Sequence, residues 1–213
     1  EADDVIAYIA TQVFTDKNIS ITIMSSDKDF LQLVDDKIKV WSPTKKKMYD
    51  KNLILEEYNI SPKNFLIYRT LLGDISDNIK GIDGCGKKTI PKYLPMLSED
   101  NKVTINDIIE YSIKQNEGKK KKKFYSNIYE NKEKLLLNEQ LMQLEFPCIS
   151  GHTKMQIIEK INSPIPKLNK YLFQIMYMHD RISNCFGNIN EWLLSTFSTL
   201  NMVSLNQDNG KLI

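Results

Sequence analysis

Three short groups of acidic residues lie in the first 77 positions, each beside apolar sequence at the end of a predicted helix or strand. They are Glu1, Asp3 and Asp4, then Asp27 and Asp29, and finally Asp74 and Asp77. Carboxylates brought into one cleft repel each other unless divalent cations neutralise them. Ligands that offer only oxygen favour Mg²⁺ or Mn²⁺ over zinc. Two such ions about 4 Å apart can activate water and stabilise a leaving oxygen, so the pattern predicts a nuclease without a histidine base.

Each acidic group also has an ordinary structural explanation. Acids in the first turn of a helix are favoured by the helix dipole, which accounts for the first group. Aspartate is common in turns, which accounts for the second, and the third could cap a helix. In open α/β sheets, however, ligands bind outside the carboxyl ends of the strands, where Asp27 and Asp29 belong. We expect the three groups to converge there, and their combination is what indicates metal binding.

The segment "GIDGCGKK" places three glycines within six residues, followed by two lysines. Because glycine tolerates positive φ angles, Gly81, Gly84 and Gly86 are predicted to turn backbone N–H groups outward into a concave anion site. Lys87 and Lys88 add positive charge. The segment is not a Walker loop, since a lysine stands where Ser or Thr is required, and no buried strand precedes it as in a dinucleotide fingerprint. A nucleic-acid phosphate is the predicted occupant, and a purely structural turn is the alternative.

Two lysine runs are further candidates for phosphate contacts. The first lies in a predicted hairpin and contributes Lys45 and Lys46, and the second precedes a predicted helix and contributes Lys119, Lys120 and Lys121. A solvated surface run is the ordinary alternative for both, and the second could also be a flexible loop.

The composition is that of an ordinary soluble globular protein, with 213 residues, 41% hydrophobic, 26% charged and a net charge of +2. Net charge alone therefore does not indicate a nucleic-acid partner. Three widely spaced cysteines without a CxxC pair argue against a disulfide framework or a thiolate zinc site, and a reducing, cytoplasmic setting fits. No apolar run is long enough to span a membrane. The sequence opens on Glu1 without methionine, and we expect it to be the later part of a longer protein.

Apolar periodicity predicts an α/β portion followed by a mostly helical portion. In the first portion we expect a helix over 1–14, a buried strand over 19–24 and a short helix from Phe30. Two short strands that turn at Pro43 and Thr44 follow. No strand is predicted after residue 50.

The helical portion is predicted from cap signals and periodicity. Ser61 followed by Pro62 marks a helix start, and Thr104 with Asp107 resembles a capping box. Three further helices are predicted over 124–137, 168–179 and 189–199.

Three motifs together resemble the 5′-nuclease superfamily, which comprises flap endonucleases, the 5′-exonuclease domains of bacterial polymerases and phage 5′-exonucleases. "EADD" opens a helix, "SSDKDFLQL" follows a strand and "GDISDNIKGIDGCGKKT" comes third, in the family's order and spacing. The "WSPTKKK" stretch especially resembles the phage RNase H branch. The motifs span about residues 1–95, and the sequence from about 124 resembles the family only weakly.

The resemblance implies an α/β fold with a PIN-like (Rossmann-like) sheet portion over 1–60. A duplex-binding helix-three-turn-helix over 61–123 and a helical C-terminal region over 124–213 would follow. It implies two Mg²⁺ or Mn²⁺ ions, and in some members K⁺ at the glycine loop. Glu1, Asp3 and Asp4 match the family's first metal group, while Asp27, Asp29 and Asp77, with Asp74 nearby, match the second. Among them Asp3, Asp27, Asp29 and Asp77 are the expected catalytic residues.

Enzymes of this family cut near the 5′ end of DNA, or of RNA in an RNA–DNA duplex, at flaps, nicks or ends. The predicted partners are therefore duplex or flapped DNA and RNA–DNA hybrids, with replication proteins such as a single-strand-binding protein, clamp or polymerase. We expect removal of RNA primers, a monomer and no membrane partner. The family also has a leading part with two further metal-binding aspartates and a helical arch, which this sequence lacks. The alternatives are a non-catalytic duplex-binding module and a PIN-like ribonuclease acting on single-stranded RNA.

Overall fold

The structure, a computed structural model, describes residues 1–16, 18–117, 121–164, 167–182 and 187–208, the last stretch with side chains as far as 202. Its helices and strands divide into two compact units, Glu1–Ser150 and Gly151–Ile213. The division therefore falls inside the predicted helical region 124–213. Every candidate site residue that the structure describes belongs to the first unit.

A three-stranded sheet forms the amino-terminal part of the first unit. Strands β1 (Ile21–Met24) and β2 (Ile38–Ser42) are parallel, and β3 (Lys47–Tyr49) pairs antiparallel with β2. Parallel pairing brings the carboxyl ends of β1 and β2 to one edge, where the Ser25 N–H donates to the Trp41 carbonyl at 3.0 Å. These strands confirm the predicted α/β class and direct the residues that follow β1 to this edge.

The first helix lies beside the sheet. Helix α1 (Ala2–Tyr8) continues directly into a π-helical turn at Ile9–Val13, as predicted for 1–14. Its buried face carries Ala7 and Ala10, whose small side chains allow close packing. The first turn, which carries Asp3 and Asp4, stays only partly covered.

Helix α2 (Lys51–Tyr58) was not predicted from the sequence. Its N-cap is Asp50, which accepts a hydrogen bond from the Leu53 N–H at 2.9 Å. The predicted start at Ser61 and Pro62 is a 3₁₀ turn, Pro62–Asn64, which leads into α3 (Phe65–Leu72). Helix α3 is buried along most of its length, because its residues are predominantly apolar.

Two-residue strands correct the expectation that no strand follows residue 50. Strand β4 (Gly73–Asp74) pairs antiparallel with β5 (Ile79–Lys80). The pairing depends on glycine, since a Cβ at Gly73 would lie 2.2 Å from the Gly81 nitrogen and one at Gly81 would lie 2.1 Å from the Leu72 carbonyl oxygen. Helix α4 (Thr89–Tyr93) and a 3₁₀ turn at Pro95–Ser98 follow.

Three helices complete the first unit, α5 (Ile105–Gln115), α6 (Lys123–Glu130) and α7 (Lys132–Met142). The capping box at the start of α5 is confirmed, with the Asp107 N–H donating to Thr104 at 3.2 Å and the Thr104 N–H donating to Asp107 at 2.8 Å. The helix predicted over 124–137 is two helices, because the backbone leaves helical geometry at Asn131.

Helix α7 supports the segment that carries Asp74 and the glycines. The buried Asn138 amide donates to the carbonyls of Thr70 at 3.2 Å and Lys80 at 3.0 Å, and so joins α7 to α3 and β5. The Lys134 ammonium donates to the Gly81 carbonyl at 2.7 Å. Helix α7, which none of the motifs includes, therefore holds the backbone just before the third motif, at Thr70, and within it, at Lys80 and Gly81.

The second unit contains α8 (Gly151–Asn162), which was not predicted, and the two predicted helices α9 (Lys170–His179) and α10 (Ile189–Asp208). Phe173 packs against Trp192 and Phe197, with ring centroids 5.5 and 5.6 Å apart. In the part of the chain that the structure describes, no helix combines the length and apolar character needed to cross a membrane.

Replacing Asn138 by alanine tests the support that α7 gives. We expect Asn138→Ala to lower the free energy of unfolding by about 2 kcal/mol, because the buried Thr70 carbonyl and the partly buried Lys80 carbonyl lose their donor. Urea denaturation followed by far-UV circular dichroism measures this change. The control is Gln140→Ala on the same helix, whose exposed side chain predicts a change within about 0.5 kcal/mol. Equal stability of the two variants would contradict this account.

Candidate metal centre and nucleic-acid interface

The centre of the candidate site is a buried arginine between two aspartates. Arg69 on α3 has a side chain only 6% exposed, and its Nε donates to Asp29 Oδ1 at 2.6 Å. Its Nη2 donates to Asp74 Oδ2. One guanidinium therefore joins the end of the sheet to strand β4, and it brings together two acidic groups that are 45 residues apart.

The sequence analysis did not identify Arg69. The available signal was its position within α3, where it is flanked by apolar residues and shares the buried face. A buried arginine requires charged or polar partners, because an unpaired charge is very costly inside a protein. Looking for those partners among the nearby acids would have indicated the pairing.

Asp77 completes a cluster with the two paired aspartates. One oxygen each of Asp29, Asp74 and Asp77 lie within 4.8 Å of one another, and this is the one such cluster among the residues described. Asp29 and Asp74 are partly buried, whereas Asp77 is exposed. Three of the four acids predicted for the second metal group therefore lie together, whereas Asp27 is not part of this cluster.

The three carboxylates differ in how many other partners they have. In Asp74, Oδ2 accepts from Arg69 while Oδ1 accepts from the Ser76 N–H at 2.8 Å and from the Ser76 hydroxyl. Burial acts in the opposite direction, but the bonds from Ser76 and Arg69 prevail and lower the pKa of Asp74 to about 2. Burial instead raises the pKa of Asp29 despite its bond to Arg69. Within the described residues, the Asp29 Oδ2 atom accepts no hydrogen bond and is available to a further positive charge.

The backbone of Asp29 is fixed from two sides. Asp27 Oδ1 accepts a hydrogen bond from the Asp29 N–H at 2.8 Å. The Gln32 amide donates to the Asp29 carbonyl at 2.8 Å and to the Met142 carbonyl at 3.0 Å, which ties this turn to the end of α7. Asp27 itself is exposed just beyond β1.

The first acidic group lies within electrostatic reach of the second. Burial raises the pKa of Asp3, and so do the negative charges of Asp27, Glu1, Asp29 and Asp4. Asp3 therefore lies close enough to Asp27 and Asp29 for their charges to act on it, and the convergence of the whole first group stays a prediction. Glu1 is exposed at the N-cap of α1, and Asp4 is partly covered in its first turn.

The glycine loop differs in detail from its prediction. Of the three predicted glycines only Gly84 has a positive φ, +86°. The Gly86 N–H does not point outward, because it donates to Thr89 Oγ1 at 2.7 Å, and Gly81 is required instead by its close approach to Leu72. Within the described residues, no hydrogen-bond partner is found for the N–H groups of Gly84, Lys87 and Lys88. These groups form the part of the loop that is open to an anion.

The predicted lysine contacts have different surroundings. The Lys45 ammonium donates to Glu57 and Tyr49, both at 2.7 Å, so its charge is already paired. Lys46 is exposed at the hairpin turn with a φ of +52°. Lys121 is exposed. Lys119 and Lys120 lie outside the described residues.

The donor set fits divalent cations. Carboxylate oxygens converge from the turn after β1 and from the β4–β5 hairpin, and Arg69 supplies the one cation bonded to the described acids of the cluster. Hard oxygen ligands of this kind suit Mg²⁺ or Mn²⁺.

Comparison with known sequences identifies relatives of the first unit. Residues 1–59 match a family described as 5′-3′ exonuclease, N-terminal resolvase-like domain. A 5′-3′ exonuclease of Aquifex aeolicus is 40% identical over 89 residues, which are 42% of this chain and 30% of that protein. One of Buchnera aphidicola is 33% identical over 145 residues, 68% of this chain and 49% of that protein. The DNA polymerase I of Mycobacterium tuberculosis is 36% identical over 98 residues, 44% of this chain and 11% of that protein. The chain spans less than half the length of each.

Solved structures share the fold. A bacteriophage T5 protein co-crystallised with metal ions is 26% identical and has a TM-score of 0.59, over 75% of this chain and 57% of that one. The bacteriophage T5 flap endonuclease in a pseudo-enzyme-product complex with DNA and metal ions has a TM-score of 0.62 at 24% identity, over 76% of this chain and 58% of that one. The order of the motifs, the matched amino-terminal domain and the shared fold agree, and together they confirm the predicted resemblance of the chain to the 5′-nuclease superfamily.

Proposed function

We propose that this chain contributes the metal-binding and duplex-binding parts of a structure-specific 5′-3′ exonuclease or flap endonuclease. Its substrates would be phosphodiesters near the 5′ ends of DNA or of RNA–DNA duplexes. The observation that supports this most directly is the meeting of Asp29, Asp74 and Asp77 beside the end of the sheet. A phosphate-binding loop in the same short stretch of chain supports nucleic acid as the substrate class.

We assign two Mg²⁺ or Mn²⁺ ions to the acidic groups. Glu1, Asp3 and Asp4 would hold one, and Asp27, Asp29 and Asp77, with Asp74, would hold the other. When bound, such ions lower the pKa of the attacking water and stabilise charge on the leaving oxygen. The chain's own contribution is to aim the carboxylates, and the Asp29 Oδ2 atom, which has no hydrogen bond within the described residues, is the best placed of them. Asp3, Asp27, Asp29 and Asp77 are the proposed catalytic residues.

The glycine loop would hold the duplex backbone at a fixed distance from the acids. The open N–H groups of Gly84, Lys87 and Lys88 are suited to a phosphate that is bound without base readout. Gly81 and Gly86 shape the loop, and K⁺ at its carbonyls is a further part of the proposal. Lys45, Lys46, Lys119, Lys120 and Lys121 remain proposed duplex contacts, with Lys45 the least available because of Glu57.

The biological role follows from the relatives. The matched segment forms part of DNA polymerase I in Mycobacterium tuberculosis, which supports a role in removing RNA primers during replication. A polymerase, a clamp or a single-strand-binding protein is a proposed partner, and the cytoplasm the proposed location. The boundaries at residues 60 and 123 are proposed limits of the nuclease core and the duplex-binding region.

Cleavage of a 5′-flapped, end-labelled duplex tests the proposed function. We expect the full-length protein that carries this sequence to release short 5′ products in Mg²⁺ and none in EDTA. Asp27→Asn should reduce the cleavage rate by a factor on the order of 100, because a ligand at the end of β1 is lost. Asp36→Asn is the matched control, since Asp36 is 95% exposed and lies outside the acidic groups.

The outcome of that assay separates the two main functions. If the full-length protein binds the duplex in EDTA but does not cut it at any Mg²⁺ concentration, the acids do not form a working site. The non-catalytic duplex-binding module is then the correct function. A preference for single-stranded RNA would favour the PIN-like ribonuclease.

Arg69 is expected to act as a positioning residue for Asp29 and Asp74. Arg69→Met should lower the cleavage rate about 10- to 100-fold and raise the Mg²⁺ concentration that gives half the maximal rate. Arg69→Lys should recover part of the loss, because lysine keeps the charge but not the forked geometry that joins two carboxylates. A rate loss with an unchanged Mg²⁺ requirement would show that Arg69 serves only folding.

Asp3→Asn should stabilise the metal-free protein. Because the folded-state pKa of Asp3 is raised by burial and by its acidic neighbours, its ionised form opposes folding, and this cost appears as the pH rises through that pKa. In EDTA at pH 7 we expect a melting temperature roughly 2 °C above wild type, and no difference at about pH 2.5, where Asp3 is protonated in both the folded and the unfolded protein. Differential scanning calorimetry measures both. A lower melting temperature at pH 7 would contradict the crowding of charge at this position.

A further inference from the structure

The loop between Asp74 and Asp77 carries an apolar side chain that the proposed function has not used. Ile75 is 98% exposed, the highest value among the large hydrophobic residues described. Single exposed hydrophobic residues are common on protein surfaces, so exposure alone indicates nothing. The position of Ile75, between two candidate metal ligands, is what calls for an explanation.

The backbone holds Ile75 outside the core. Asp74 Oδ1 accepts a hydrogen bond from the Ser76 N–H at 2.8 Å, and the Asn78 N–H donates to the Ile75 carbonyl at 3.2 Å. Asn78 has a φ of +58°, which closes the turn, and the β4–β5 pairing fixes both of its ends. The side chain therefore points into solvent from a hydrogen-bonded turn.

Ile75 forms the ridge between two open grooves. The first groove, of about 590 Å³, contains Lys28 and Lys87 and reaches down to Arg69. The second, of about 450 Å³, contains Lys80 and Lys134 and follows the glycine loop. Ile75 lines both grooves.

The charges of the grooves favour a polyanion on each side of the ridge. Within the described part of the chain, Lys28, Lys80 and Lys87 form no ion pair with an acidic side chain. The other charged residues of the first groove, Lys45, Glu57, Arg69 and Asp74, are in ion pairs, so Lys28 and Lys87 supply its excess positive charge. In the second groove, Lys80 and Lys134 outnumber the one acid, Asp83. The surface therefore presents a positively charged groove on each side of the apolar ridge formed by Ile75. A nucleic-acid duplex offers the complementary order, with phosphates on either side of the less polar sugar and base edges of a groove.

We propose that Ile75 is a positioning residue that packs against the sugar and base edges of the substrate duplex, next to the phosphodiester to be cut. The phosphates of the two strands lie in the grooves on either side, with Lys28 and Lys87 facing one strand and Lys80 facing the other. The inference rests on the proposed function. It adds that the duplex is located by an apolar contact as well as by charge, and it assigns Lys28 and Lys80 to the interface.

Duplex binding in EDTA tests the ridge without involving metal. Fluorescence anisotropy with a labelled 5′-flapped duplex should give an affinity about five- to tenfold weaker for Ile75→Ser than for wild type, as expected when a partly covered isoleucine is lost. Ile75→Leu should bind like wild type, because it keeps the apolar surface. Ile113→Ser is the matched control, since Ile113 on α5 is also exposed, at 45%, and lines neither groove.

A photo-crosslinking amino acid at position 75 provides a second measurement that does not depend on affinity. Benzoylphenylalanine placed at 75 should crosslink to the duplex within a few nucleotides of the cleavage point, whereas the same group at 113 should not. Melting temperatures of all variants are compared with wild type to confirm folding.

Each outcome has a distinct meaning. Equal affinities of Ile75→Ser and wild type, together with no crosslink at 75, overturn the ridge while leaving duplex binding and cleavage by the wild-type protein intact. A wild-type protein that neither binds nor cuts the duplex overturns the proposed function and the ridge with it. Weaker binding by Ile75→Ser with recovery in Ile75→Leu and a crosslink at 75 supports the ridge.

Discussion

The site depends on the burial of Arg69 between Asp29 and Asp74. A guanidinium whose side chain is 6% exposed is stable only when it is paired with carboxylates, and the two carboxylates come from the second and the third motif. The Arg69 Nε donates to Asp29 Oδ1 and the Nη2 donates to Asp74 Oδ2, which fixes the direction of the other oxygen of each acid. The same contact also leaves the cluster short of positive charge, because one cation faces several anions. Folding and the proposed cation binding are therefore linked through a single side chain.

The frame around this pair lies outside the motifs. Helix α7 holds the carbonyls of Thr70, Lys80 and Gly81 through Asn138 and Lys134, and its end is joined to the Asp29 turn by Gln32. The acids and the glycine loop thus share one rigid support. If a duplex binds the loop, the distance from the bound phosphate to the acids is set by α3 and α7 and not by a flexible connection. This rigidity is what a nuclease that cuts at a defined distance from a duplex end requires.

Local signals in the sequence predicted much of the fold. The β-branched run ending at Met24 gave β1, the capping box at Thr104 gave the start of α5, and Pro43 with Thr44 gave the turn between β2 and β3. The failures have physical causes. Strands β4 and β5 are too short for an alternating pattern, and they exist because Gly73 and Gly81 let two backbones approach closely. The break at Asn131 and the short helix α2 depend on packing, which local propensity does not contain.

The sequence by itself determined which chemical groups are present and in what order. Aspartates clustered beside apolar segments indicated metal binding, because such carboxylates repel each other unless cations neutralise them. Glycines followed by lysines indicated phosphate binding, because they combine open backbone N–H groups with positive charge. Only the tertiary structure decided which carboxylates meet, which lysines keep a free charge and which glycine has a positive φ. Those outcomes depend on contacts between distant residues, such as Arg69 with Asp29 or Lys45 with Glu57. Such contacts arise from the burial of α3 and the pairing of β1 with β2, so no short window of sequence can specify them.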